Sequence, residues 1–132
     1  MKINFYTSKF NNPNVSYGFF TRQGGKSIGN FSSLNCSLSS EDNKEIVNSN
    51  INLALKEIGF SNKKLKTLIQ VHSNTVCFVD KKNFNHKFES DGLITLDKDI
   101  CIAVLTADCC PIFIYDVEGS FIACVHSGWK GC

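Results

Sequence analysis

A change of hydrophobic period near residue 60 constrains this chain more than any other feature. Before it, Val47, Ile51, Ala54, Leu55 and Ile58 recur at helical spacing, with Asp42 and Glu45 as a capping pair and Gly59 as the stop. After it, residues 65–71, 75–79, 92–96, 100–105, 112–115 and 121–125 form short runs rich in β-branched and aromatic side chains, most of them separated by turn formers. One helix followed by closely spaced strands, without regular crossover helices, predicts an α+β fold with a mixed or antiparallel β-sheet and packed helices. A further strand is expected over residues 15–20, running into the loop 21–27, where Gly24 and Gly25 permit backbone angles other residues avoid.

The 132 residues are enough for one domain with a real core, so a single domain over 1–132 is expected. A formal charge of +2 and scattered lysines cannot make the basic stripe that displaces counterions from phosphates, which argues against a nucleic-acid partner. The cluster Lys63, Lys64 and Lys66 reads as a solvated face. No apolar run approaches the roughly twenty residues that span a bilayer, and the N-terminus lacks a signal-peptide stretch. A soluble, cytoplasmic protein without a membrane partner is therefore expected. Seven cysteines, an odd number with four inside apolar runs, fit reduced thiols better than a disulfide framework. The chain ends in the glycine-rich turn 126–131 with no element after it, which suggests a domain truncated at its C-terminal end.

Three histidines exist, and His72 and His126 each follow a β-rich run; Cys109 lies a short link beyond another. Strand ends are where rigid scaffolds present reactive side chains. Two imidazoles and one thiolate suit zinc and leave a fourth position open, the stoichiometry of a catalytic site, where bound water is acidified towards neutrality. The same trio with a long axial methionine would suit copper, but the only methionine is Met1. Alternatively, Cys109 or Cys110 is a nucleophile and His126 its base. The blandest alternative makes both histidines ordinary loop residues and Cys109 a small buried hydrophobe. Spacing alone leaves all four open.

Arg22 and Lys26, beside two glycines, could offer a forked cation and backbone donors to an anion, or simply line a turn. Asp91 and Asp108 could act as acid or base, or as turn formers beside strands. Cys124 would share a strand face with His126, and His86 reads as an exposed loop residue.

Taken in order, Thr21-Arg22-Gln23-Gly24-Gly25, Leu34-Asn35, Gln70-Val71-His72-Ser73, Asp91-Gly92, Ala107-Asp108-Cys109-Cys110-Pro111 and His126-Ser127-Gly128-Trp129-Lys130-Gly131 resemble the laccase-domain family. That family, formerly called multicopper polyphenol oxidases, includes peptidoglycan-editing factors and purine nucleoside phosphorylases with adenosine deaminase and methylthioadenosine phosphorylase activity. The resemblance implies a fold related to deamidating toxins, in a domain about twice this length. It further implies a metal, zinc before copper, on His72, Cys109 and His126. Arg22 would contact substrate or phosphate, Asn35 would contact substrate, and Asp108 would shuttle protons. Purine nucleosides and phosphate are the implied partners. Editing of a peptidoglycan precursor by an amidohydrolase, copper-dependent polyphenol oxidation and an inactive fragment are the alternatives. Lys130 stands where the family more usually has arginine, which keeps the charge but loses a bidentate fork.

Overall fold

The computed structural model describes residues 2–8 and 12–130. The chain divides into two compact units, Met1–Asn62 and Lys63–Cys132. Gly131 and Cys132, which close the last sequence motif, lie outside the described residues.

In the first unit, β1 (Phe5–Tyr6) pairs antiparallel with β2 (Phe19–Phe20). The strand expected over residues 15–20 is confined to its last two positions. The pair is held by side chains as much as by backbone: Phe5 and Phe20, opposite in register, stack with ring centroids 5.2 Å apart. A short 3-10 turn at Gly29–Phe31 precedes α1 (Lys44–Glu57), which buries Val47, Asn50 and Ala54 on one face. Gly59 follows the C-cap Ile58 at φ 77°, the left-handed conformation that ends helices. The N-cap differs from expectation. Asn43, not Asp42, accepts from the Glu45 and Ile46 N–H groups, because the Asp42 carboxylate is taken by the Ser27 hydroxyl at 2.6 Å and the Asn35 amide at 3.0 Å.

In the second unit, β3 (Lys64–Lys66) pairs parallel with β6 (Ile100–Ile102). A four-stranded sheet contains β4 (Val76–Phe78), β5 (Gly92–Thr95), β7 (Cys110–Tyr115) and β8 (Ile122–Ser127), in the order β4-β5-β8-β7. Its first pair is parallel and the other two antiparallel, so the sheets are mixed, as expected for this α+β class. The parallel pair forms without a crossover helix, since turns and loop over residues 79–91 supply the length for the return.

Register explains the core. Cys77, Leu93, Cys124 and Phe113 stand opposite one another across the four strands and pack with Val79, Ile100 and Ile102. The opposite face is apolar too: Phe78, Ile94, Ala123 and Ile114 form one row, and Phe78 and Ile114 are each nearly half exposed.

Lys66 departs from the solvated face expected of its cluster. It is buried, its ammonium donating to the carbonyls of Phe84 and His86 between the rings of Phe84 and Phe88. Burial pushes its pKa down, and the two carbonyls with the flanking aromatic faces satisfy the charge instead of water. Among the described residues, no helix is long and apolar enough to cross a membrane.

Candidate metal centre

His72, Cys109 and His126 come together in the second unit, each offering one donor atom, with all three donors within 4.8 Å of one another. Cys109 Sγ lies 3.9 Å from His72 Nε2, and the two imidazoles meet edge to face with centroids 4.8 Å apart. Neither His72 nor Cys109 is buried, whereas His126 is only 4% exposed. The centre therefore has a dry wall and an open side.

The positions differ in detail from the sequence expectation. His126 is inside β8 rather than past its end, and Cys109 follows β6 across the loop 103–108 and immediately precedes β7. Pro111 pairs with His126 across the β7–β8 ladder, which brings the two segments to the same end of the sheet. His72 follows the isolated parallel bridge between Ile69 and Glu89 and has φ 58°, the one positive φ outside glycine among the described residues. A left-handed non-glycine residue costs about 1 kcal/mol or more, so neighbouring bonds must hold it.

Those bonds come from Asp91, which is 1% exposed. Its Oδ2 accepts from the N–H of Val71 at 3.2 Å, the N–H of Ser73 at 2.6 Å and the Ser73 hydroxyl at 3.0 Å. Its Oδ1 lies 2.7 Å from His126 Nδ1, and its main-chain carbonyl accepts the His126 N–H at 2.7 Å. Burial alone would raise the Asp91 pKa. The bonds from Ser73, His126 and Val71 outweigh it and hold the carboxyl well below the usual carboxylate range. An ionised carboxylate can only accept, so His126 donates from Nδ1, and Nε2 is the ring nitrogen not engaged by Asp91.

Gly128 completes the packing. A Cβ there would stand 2.6 Å from His72 Cδ2 and 3.3 Å from His126 Cε1, so no side chain fits between the rings without moving one of them. Trp129 is exposed, with the Lys130 ammonium 5.2 Å from its ring centroid.

The donor set fits a borderline-soft metal. Tetrahedral zinc with nitrogen and sulfur ligands separates its donors by about 3.5 Å, so the trio needs only a small contraction to close on an ion. The thiol–imidazole alternative is also realised in part: the sulfur meets His72, whereas the expectation paired it with His126. Asp108, exposed beside Cys109, has its Oδ1 3.7 Å from the sulfur. Cys36 and Cys101, raised to about 11 by burial, and Cys124, raised to about 12, are stored as neutral thiols.

Arg22, Lys26 and Asn35 belong to the first unit. Arg22 Nε and Nη2 both donate to the Ser32 carbonyl, at 2.9 and 2.6 Å, and the residue lines an open cleft of about 540 Å³ with Ile3, Phe5, Tyr6, Thr21 and Gln23. The glycine loop does not cradle an anion with its backbone. Gly24 and Gly25 N–H donate to the Ser33 hydroxyl and Lys26 N–H to Asn50, which leaves only side chains for that task. Asn35 gives its amide to Ser40 and Asp42.

Sequence reasoning singled out the three residues that the structure brings together, His72, Cys109 and His126, but left Asp91 as an acid, a base or a turn former. The available signal was Asp91-Gly92 at the start of a β-rich run, where a buried carboxylate needs partners.

Comparison with known proteins identifies relatives of the chain and of its fold. A purine nucleoside phosphorylase from Bacteroides thetaiotaomicron is 31% identical over 96% of this chain and 50% of its own length. The human purine nucleoside phosphorylase LACC1 is 33% identical over 98% of this chain and 30% of its own. The crystal structure of a DUF152 protein from Neisseria meningitidis superposes with a TM-score of 0.84 at 32% identity, covering 97% of this chain and 52% of that one. The chain thus spans about half the length of most of the curated relatives it matches. Residues 16–132 match the sequence profile described as multi-copper polyphenol oxidoreductase laccase, and with those relatives and that fold the chain belongs to the laccase-domain family.

Proposed function

We propose that this chain carries the metal centre of a zinc-dependent purine nucleoside phosphorylase that also deaminates adenosine and phosphorolyses methylthioadenosine. The observation that carries the reading is the convergence of His72, Cys109 and His126, in a chain whose relatives are named purine nucleoside phosphorylases. Two imidazoles and one thiolate would suit zinc, and it is favoured over copper because the chain offers no methionine besides Met1 to complete a copper set. When bound, the ion supplies Lewis acidity and an acidified water.

The protein's own groups do the rest. Asp91 orients His126, the β8 wall excludes water from one side, and Cys109 would hold the metal as its thiolate. Asp108, beside that sulfur and open to solvent, is the group assigned to carry protons to and from the purine. Arg22 is assigned to phosphate and Asn35 to the nucleoside. Arg22 has two of its five donors on Ser32, which fixes the plane of the guanidinium. Free thiols at six described cysteines fit a reducing compartment, and we place the protein in the cytoplasm.

Incubation of the zinc-loaded protein with inosine and phosphate should give hypoxanthine and ribose 1-phosphate, and with adenosine should give inosine. His72→Ala and Cys109→Ala should each abolish metal binding and turnover together. Absence of turnover with one zinc bound per chain overturns the catalytic reading while leaving the metal centre in place.

A second reading follows from the 3.9 Å approach of Cys109 to His72, which also fits a thiol–imidazole pair hydrolysing an amide of a peptidoglycan precursor. Release of an amino acid from a muropeptide precursor by chelator-treated protein would favour it.

A further inference from the structure

We propose that Asp91 is the positioning residue that sets both histidines of the metal centre, an inference that rests on the metal-centre reading above. The geometry is unusual in that one carboxylate serves two ligands from opposite sides. Oδ1 takes the Nδ1 proton of His126, which leaves Nε2 as the only atom of that ring able to bind an ion. Oδ2 takes the two amides on either side of His72, and those bonds hold the left-handed turn that aims this imidazole at Cys109. Asp91 in turn is fixed by its place at the head of β5. Its carbonyl accepts from His126, and the next residue, Gly92, pairs with Val125. The spacing between the two rings is therefore set by one side chain on a rigid strand, with Gly128 leaving the room in which the rings approach.

A merely structural role would require Asp91 only to satisfy the buried amides at 71 and 73. The bond to the outer nitrogen of a ligand histidine goes further: it selects the tautomer and strengthens the ring as a donor. Replacement by asparagine separates the two roles. An amide has one oxygen, so it cannot accept on both sides. With its NH2 group facing His126 it drives the proton to Nε2, the atom needed for the metal. With its oxygen facing His126 it sets donors against the Val71 and Ser73 amides and opens the turn that carries His72.

Two measurements test this. Long-range proton–nitrogen NMR on metal-free protein should show His126 protonated at Nδ1 in the wild type. Titration with cobalt(II), followed by the thiolate charge-transfer band, should show Asp91→Asn binding about 10–100-fold more weakly than the wild type. A circular dichroism spectrum like that of the wild type would confirm that the variant folds. Asp91→Asn with wild-type cobalt affinity and band position, or a wild-type His126 protonated at Nε2, overturns the proposal. Should Asp91→Asn fail to fold, the wild-type tautomer decides alone. A wild type that binds no cobalt overturns the metal centre itself, a result distinguishable from the tautomer.

Discussion

Each unit has a fully buried polar side chain that ties separate segments together, Asn50 in the first and Asp91 in the second, and the two hubs work differently. Asn50 Oδ1 accepts from Lys26 N–H, and its amide donates to the Ser27 hydroxyl and the carbonyls of Ser33 and Asn35. All of these partners lie in the loops that precede α1, so the hub ties the glycine loop and the 33–35 segment to the helix. Asp91 instead binds one donor residue directly and another through its two neighbours. A neutral amide with both donors and acceptors suits a closed structural knot. A charged acceptor-only group suits rings that must keep one nitrogen bare.

The largest effect expected from this contrast is on stability. Asn50→Ala strands several buried groups at once and should destabilise the protein by about 3 kcal/mol in denaturant titration, while the metal content of the folded fraction is unchanged. Loss of metal in proportion to nothing but the altered Asn50 would mean the knot also shapes the centre, and the contrast would fail. Gly128→Ala should act in the reverse sense. Its new Cβ would meet His72 at 2.6 Å, so metal affinity should fall by roughly tenfold, about 1.4 kcal/mol, with thermal stability changed much less. Competition with a chromophoric chelator measures it. Smallest is Asn43→Ala, which removes the α1 cap and should cost about 1 kcal/mol without touching metal binding. Together the three variants ask whether stability and metal affinity vary independently across the two hubs.

Much of this was readable from the chain, for reasons that also mark where reading stopped. Val47 and Ala54 fall on the buried face of α1 because helical period alone decides which side meets the core. Leu93, Phe113 and Cys124 were placed in β-rich runs by composition, but their meeting on one sheet face depends on register, which pairing of distant strands sets. The strand β1 has two residues, too few to show any period. Asp42 and Asn43 are both good caps, and only the loop contact from Ser27 decides between them. Lys66 was misread because a lysine beside two others looks solvated, and nothing local announces the carbonyls of Phe84 and His86 that receive it. His72, Cys109 and His126 were recognisable as candidates by their flanking motifs, whereas Asp91 contributes through contacts separated from it by up to 35 positions.

The hydrogen at position 128 gives the His-Ser-Gly spacing at the end of β8 a meaning that a motif alone does not carry. His126 supplies an imidazole, but the glycine two positions later supplies the room in which His72 can stand beside it. A homologous chain that keeps both histidines and the cysteine yet bears a larger residue there would pass a search for the three side chains and still have to displace His72 to seat it. Absence of a side chain is thus part of what brings the two imidazoles together, and surveys of related sequences for the candidate centre should score that glycine alongside His72, Cys109 and His126.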